Sequence, residues 1–352
     1  MAKSFFNRLL LLLFFFFALL LGLISRCFTY RFFCLRHRVF CLSSDPAPVH
    51  LPMMNKTSNP MRTTFQLILI ENVRHLIILI YLCSTEKMKI PVLNSVKAIE
   101  HQYRTGEEPV LVMCSDMNAY ICKYMRSTAA SYKLVSELIG SEMARVWQLN
   151  SPETAIVSIK PDHWNGVRSS HSMTAPAFGS KKKMGVIDIT PATIGEIEDL
   201  PITFAQLLHI ALFDFWMANE DRNANNANLM YDIVKHLFVP IDYGCVFNTA
   251  TYDYPLSQLT ITDSILSSEL FEVLLSHHRT SLPTIIVDLD RAYAQNVGRC
   301  MERVSKIIDL IPVEWNVPKG IITKKVSELL DPDWHDHVWL NFMECLSERI
   351  SL

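Results

Sequence analysis

Residues 204–218, FAQLLHIALFDFWMA, are almost wholly apolar, and at Asn219 the chain turns abruptly polar, with NEDRNANNAN filling 219–228. An apolar run of that length reads as a helix buried inside a domain. The polar run is then a loop leaving that helix, since Asn and Asp favour turns through hydrogen bonds from their own side chains. LMY at 229–231 and LFVPI at 237–241 return to β-rich composition, and Asp242-Tyr243-Gly244 follows with a glycine that permits a turn. A loop that joins a buried helix to strands sits where loops carry function. His209 and Asp214, on the helix itself, read as satisfied core or helix-surface groups.

Asp221 and Asn226 stand five residues apart in this loop, and Asp242 ends the apolar run after it. That spacing lets a carboxylate face a substrate hydroxyl while an amide oxygen reaches a metal. Asp242 then supplies a second hard oxygen ligand. Mg2+ takes few protein oxygens and completes its shell with water and phosphate, so Asn226 with Asp242 suffices. A carboxylate, an amide and a second carboxylate on a loop, strand and turn suit divalent-metal phosphoryl transfer. The plain alternative is an Asn-rich turn and nothing more.

The 352 residues, 50% hydrophobic, provide a sizeable core in one large domain or two smaller ones. A formal net charge of −2 argues against a general nucleic-acid binder, so no nucleic acid is expected as a partner. The nine cysteines are scattered and form no CxxC pair, which reads as reduced thiols in the cytoplasm.

Residues 1–87 read as an apolar N-terminal segment and not as a folded domain. LLLLLFFFFALLLGLIS at 9–25 is close to the length a membrane-spanning helix needs. Arg26, Arg31, Arg36 and Arg38 follow it, a positive flank that places the remainder of the protein in the cytoplasm if the segment is an anchor. Two other readings stay open: a signal-like segment, or a physiological start further along the chain. Membrane contact is expected only if 9–25 is a real anchor.

From Met88 the composition is that of an ordinary globular protein. PVLVM at 109–113 and AYICKYM at 119–125 are short β-rich runs around the polar turn CSDMN. Alternation puts Ile121, Lys123 and Met125 on one face, where an inward lysine needs an anionic partner. The other reading of Lys123 is an edge-strand residue that discourages aggregation. Residues 131–148 have helical spacing and carry Glu137 and Glu142. Either glutamate could face the sheet, and Glu137 is preferred because Leu138 and Ile139 beside it define the packed stripe. TAIVSI at 154–159 is the next strand. Strand, strand with lysine, helix with glutamate, strand is the order a lysine–glutamate pair needs to position a nucleotide phosphate. Gly106, in Arg104-Thr105-Gly106-Glu107-Glu108, either bends a loop over that phosphate or belongs to a plain hairpin turn. Residues 88–160 are thus expected to form a nucleotide-binding lobe, and 161–352 a catalytic lobe.

Residues 160–174 read as a hinge, and the lysines at 181–183 as a solvated loop, with contact to phosphates or an acidic substrate as the other reading. Beyond 249, amphipathic stretches at 261–277, 282–311, 320–330 and 334–350 predict helices that complete the larger lobe. Asp288 and Asp290 are surface or capping groups of that pattern. Trp334-His335-Asp336-His337 reads as a helix start capped by Asp331 and Asp333, since adjacent helical residues point in different directions.

The pattern DRNANNANLM…PIDYG resembles the catalytic and metal-binding segments of HipA-like kinases, and YICKYM with SELIGSEMARVWQLNSPETAIV resembles that family's ATP-lysine strand and the helix after it. The resemblance implies an α+β, two-lobed protein-kinase-like fold, with a small β-rich lobe holding one helix and a larger, mainly helical lobe. It implies Asp221 as catalytic aspartate, Asn226 and Asp242 as Mg2+ ligands, and Lys123 on the phosphates of ATP. A glycine-rich loop ahead of Lys123 is not evident. The chain also reads as too short for the additional N-terminal domain of toxin-type members, so toxin activity is not expected of it. The expected function is ATP- and Mg2+-dependent transfer of the γ-phosphoryl group to a hydroxyl, Ser or Thr of a protein substrate. The alternatives are a pseudokinase-like module that binds nucleotide without turnover, and a lipid or small-molecule kinase.

Overall fold

The computed structural model describes residues 89–164 and 174–351. The chain divides into two units, Met1–Tyr81 and Leu82–Leu352, and every described residue belongs to the second. The apolar run at 9–25 lies outside the described residues. Among the described residues, no helix is long and apolar enough to cross a membrane.

The fold is α+β, a six-stranded sheet with one helix followed by a larger, mainly helical part. The strands are β1 (Val92–Asn94), β2 (His101–Gln102), β3 (Val110–Met113), β4 (Ala119–Lys123), β5 (Thr154–Ser158) and β6 (Ala177–Lys181), with helix α1 (Thr128–Val146) between β4 and β5. Their spatial order is β1-β5-β6-β4-β3-β2. β6, from a segment whose lysines suggested a solvated loop, wedges between β5 and β4. A Cβ on Gly179 would stand 2.8 Å from Val157 Cγ2, so glycine is what lets these central strands approach. The sheet therefore runs past residue 160, where the sequence pattern placed the end of the smaller lobe.

Alternation along β4 decides where its lysine goes. Tyr120 and Cys122 are buried on one face with Val110, Val112 and Ala155. Lys123 lies on the other face, paired across the sheet with Phe178, which pairs with Ile156. Directly opposed residues share a face. Phe178 and Ile156 belong to the core built around Leu134, Leu138 and Ile139 of α1, so Lys123 faces that helix. Ser127 caps α1 by accepting from the Ala130 N–H at 3.2 Å.

The larger part contains β7 (Val186–Asp188), α2 (Pro201–Met217), β8 (Leu229–Asp232), β9 (Leu237–Pro240), α3 (Val246–Ala250), α4 (Glu269–His278), α5 (Leu282–Ile308), α6 (Lys319–Leu329) and α7 (Pro332–Ser351). β7, β8 and β9 form a small antiparallel sheet. α2 is buried nearly all round and packs against β9, α4, α5 and α7, as its unbroken apolar composition requires. Trp147, just past α1, stacks on Trp216 of α2 at 5.2 Å, so one core serves both parts. Of the stretch 261–277, only the second half is α-helix. Ser264 and Ser268 take the N–H groups of Leu266 and Phe271 and break the rest into two short 3-10 turns. α7 starts at Pro332, with the Asp331 carboxylate accepting from the Asp333 N–H at 2.9 Å.

Candidate active site

Lys123 projects from β4 into a cluster of carboxylates. Its ammonium contacts Glu137 Oε1 on α1, Asp242 Oδ1 at 2.7 Å and Glu107 Oε2 at 2.9 Å. Glu137 is nearly enclosed, and its Oε2 accepts from the Tyr243 N–H at 3.1 Å. Burial would lower the pKa of Lys123, but Glu137, Asp242 and Glu107 outweigh it and hold the lysine well above its ordinary value. Loss of water contact pushes Glu137 up, with Lys123 pulling against it. The same loss works to raise Asp242, yet there the lysine wins and holds the carboxyl below the usual carboxylate range. Asp242 is therefore an anion at neutral pH. Glu142 turns elsewhere: it contacts Arg145 and accepts from Thr154 Oγ1 at 3.0 Å.

The polar loop is shaped by a buried ion pair. α2 ends at Ala218, in the left-handed region at φ 49°, and the chain turns back under the helix. Arg222 Nε donates to Asp214 Oδ2 at 2.8 Å, and Asn219 Nδ2 donates to Asp214 Oδ1 at 2.8 Å. The other end of the guanidinium reaches forward, with Nη1 donating to the carbonyls of Asn228 and, at 3.1 Å, Ile241. Those carbonyls flank the β8–β9 pairing, where Leu229 opposes Pro240 and the Ile241 N–H donates to Asn228 O at 3.0 Å. Asp221 precedes Arg222 and Asp242 follows Ile241, so one arginine gathers both acidic residues. Asn228 completes the loop, its Nδ2 donating at 3.0 Å to both the carbonyl and Oδ2 of Asp221. Cys245 registers the convergence: burial pushes its thiol up to about 12, with Asp221, Asp242 and Glu107 adding to the rise.

The acidic turn is held as closely. Asp242 sits at φ 59°, in the left-handed region where an aspartate is tolerated through local hydrogen bonds. The Gly244 N–H donates to its Oδ1 at 3.3 Å. A Cβ on Gly244 would lie 3.0 Å from Glu137 Oε1 and 3.4 Å from Asp242 Oδ1, so the turn passes close against both carboxylates. A Cβ on Gly140 of α1 would come within 2.5 Å of Tyr243 Cβ, which is how closely the helix seats on the turn. Beyond it, α3 is not a regular right-handed helix, since Phe247, Asn248 and Thr249 run left-handed. Glu220 ties that segment to the loop, accepting from Asn248 Nδ2 at 2.8 Å and Thr249 Oγ1 at 2.6 Å.

The structure thus brings Lys123, Glu137 and Asp242 into contact and sets Asp221 beside them. Asn226 lies on the same loop with an exposed side chain, its backbone bonded to Asn223. Gly106 borders a cavity of about 410 Å³ that Lys123 also lines, and nothing comes within 4 Å of where its Cβ would be. Sequence reasoning passed over Glu107, Lys133, Asn228 and the Asp214–Arg222 pair. For the pair a signal existed, since a carboxylate within an apolar helix and an arginine eight positions on must be satisfied inside.

Among the described residues no cluster of three or more His, Cys, Asp or Glu side chains could hold a metal. The expected Mg2+ site needs fewer. Lys123 and the Gly244 N–H both donate to Asp242 Oδ1, and the ionised carboxylate is the kind of hard oxygen donor that Mg2+ takes. Asn226 adds an exposed amide oxygen from the neighbouring loop. The donor chemistry fits the ion.

The family model described as HipA-like kinase matches residues 96–334, more than half of the chain. No curated protein sequence matches it. Among solved structures the chain resembles the crystal structure of a Helicobacter pylori proinflammatory kinase, CtkA, at 11% identity and a TM-score of 0.40, over 72% of this chain and 99% of that one. It also resembles the open conformation of CtTel1, at 11% identity and a TM-score of 0.25, over 69% of this chain and 11% of that one.

Proposed function

The chain belongs to the HipA-like kinase family, and from that premise we propose that it transfers the γ-phosphoryl group of ATP, with Mg2+, to a hydroxyl, Ser or Thr of a protein. The observation that carries this reading is the Arg222 clamp, whose bonds to the carbonyls of Asn228 and Ile241 tie the loop that holds Asp221 to the turn from which Asp242 contacts Lys123. Lys123 neutralises the nucleotide phosphates, and Glu137 with Asp242 fixes where its ammonium points. Asp221 orients the acceptor hydroxyl and takes its proton as the oxygen bonds to the γ-phosphorus and the bond to ADP breaks. Asn228 Nδ2, on Asp221 Oδ2, aims the carboxylate. Asp242 and Asn226 are the residues that would hold Mg2+, which when bound offsets charge on the phosphate oxygens.

Phosphoryl transfer of this kind is mostly positioning and electrostatics, so losing one such carboxylate costs on the order of a thousandfold in rate. The full chain incubated with labelled ATP and Mg2+ should label itself or an added protein acceptor, and Asp221→Asn and Asp242→Asn should not. Equal labelling by wild type and Asp221→Asn overturns the assignment. A second reading, nucleotide binding without turnover, draws on Glu107, whose carboxylate engages Lys123. A thermal shift with ATP and no labelling under any condition would favour it.

A further inference from the structure

The Glu107 carboxylate spans two ammonium groups. Its Oε2 lies 2.9 Å from Lys123 Nζ and its Oε1 lies 3.0 Å from Lys133 Nζ. Lys133 stands one helical turn before Glu137 on α1, so its side chain rises on the same face toward the same space. Beside them, Arg126 Nη1 donates to the Gly106 carbonyl at 3.4 Å, and its Nη2 pairs with Glu108 at 3.0 Å. These three cations and the 106–107 turn line the cavity of about 410 Å³. A carboxylate that bridges two lysines at the mouth of a cavity presents what a phosphoryl group presents, a pair of anionic oxygens on one centre. Phosphate carries more charge and a third oxygen, so it is the stronger partner for the same two ammoniums.

We propose that Lys133 is a second phosphate-binding lysine of the nucleotide site, and that Glu107 is an internal competitor for it. The inference rests on the nucleotide reading above and extends it to residues outside the expected set. Two anions cannot share these ammoniums without strong repulsion, so Glu107 withdraws when the phosphate chain arrives. Glu107 and Lys133 are both partly exposed, and ion pairs of that kind are weak. The displacement is therefore easily driven by a ligand of higher charge. The 104–108 turn acts through its acidic side chain, and a glycine-rich composition is not needed for that role.

The test is calorimetric binding of ATP with Mg2+, and of adenosine, to the full chain. Lys133→Met should weaken ATP binding about tenfold, the scale of one charge-assisted contact. Adenosine, which carries no phosphate, should bind as before, and Lys133→Arg should restore ATP. Glu107→Gln should tighten ATP about threefold, the scale of a partly exposed ion pair, again without moving adenosine. Unchanged ATP affinity in Lys133→Met, or weaker ATP binding in Glu107→Gln, overturns this inference and leaves the nucleotide reading standing. Failure of the wild type to bind either ligand overturns both.

Discussion

Arg222 and Asp214 form an ion pair at 2.8 Å with side chains 0% and 1% exposed, and the same guanidinium serves the carbonyls of Asn228 and Ile241, at the end of the polar loop and at the start of the acidic turn. Removing one partner of such a pair strands the other as an uncompensated buried charge, which costs roughly 3–5 kcal/mol. Arg222→Met should therefore lower unfolding free energy by that amount in urea denaturation. Arg222→Met with Asp214→Leu should recover a large part of it, because two apolar side chains leave no charge behind. A loss below about 1 kcal/mol for the single variant would mean that the loop does not depend on the pair.

Gly140 and Gly298 are both helical glycines and should respond with opposite sign. In α5, nothing lies within 4 Å of a Cβ at Gly298, so Gly298→Ala should gain about 0.5–1 kcal/mol from helix propensity. In α1, a Cβ at Gly140 meets Tyr243 Cβ at 2.5 Å, and overpacking of about 1–3 kcal/mol outweighs the same gain. Thermal melting of the two variants should move in opposite directions.

Asn228 contacts Asp221 and no other acidic side chain of the cluster. Asn228→Ala removes the donor that aims the Asp221 carboxylate, and the position lies at φ 42°, where alanine is strained. Steady-state kinetics should show kcat falling by about tenfold or more, with KM for ATP nearly unchanged, since Lys123 and Lys133, the residues proposed to bind phosphate, are untouched. A change confined to KM would assign Asn228 to nucleotide binding instead.

His209 sets an acid limit. Burial, with help from Arg299, pushes its pKa from 6.5 down to about 4, and its Nε2 accepts from Asn296 Nδ2 at 3.0 Å. Between those two values the unfolded chain binds a proton that the folded chain does not. Stability from this group is thus complete above pH 6.5 and is lost as pH falls toward 4. The loss amounts to at most about 3 kcal/mol. Urea midpoints measured across this window should fall for the wild type and flatten for His209→Gln.

Much of what forms the candidate site was legible in the chain because its signals are local. The apolar run 204–218 became α2, the Asn-rich run became the loop after it, and Asp221 and Asp242 were marked by a break in composition on either side of two short strands. β4 placed Lys123 on its less buried face by alternation alone. Glu137 and Glu142 show where that reasoning ends. Both are acidic, both lie on α1 and both are buried, yet only the seating of the helix on the Asp242 turn brings Glu137 to Lys123 and leaves Glu142 to Arg145 and Thr154.

By itself the sequence determined the strands on either side of α1, the buried helix α2 and the polar loop and short strands after it, because periodicity and turn chemistry act over a few residues. Tertiary structure alone decided the partners. It inserted β6 between β5 and β4 through a bare Gly179, placed Asp214 under Arg222, and set Glu107 across Lys123 and Lys133. A charged side chain records that it needs a counter-charge but not which one. That choice follows from how closely the backbones pack, and here two glycines, Gly140 and Gly179, set the approach.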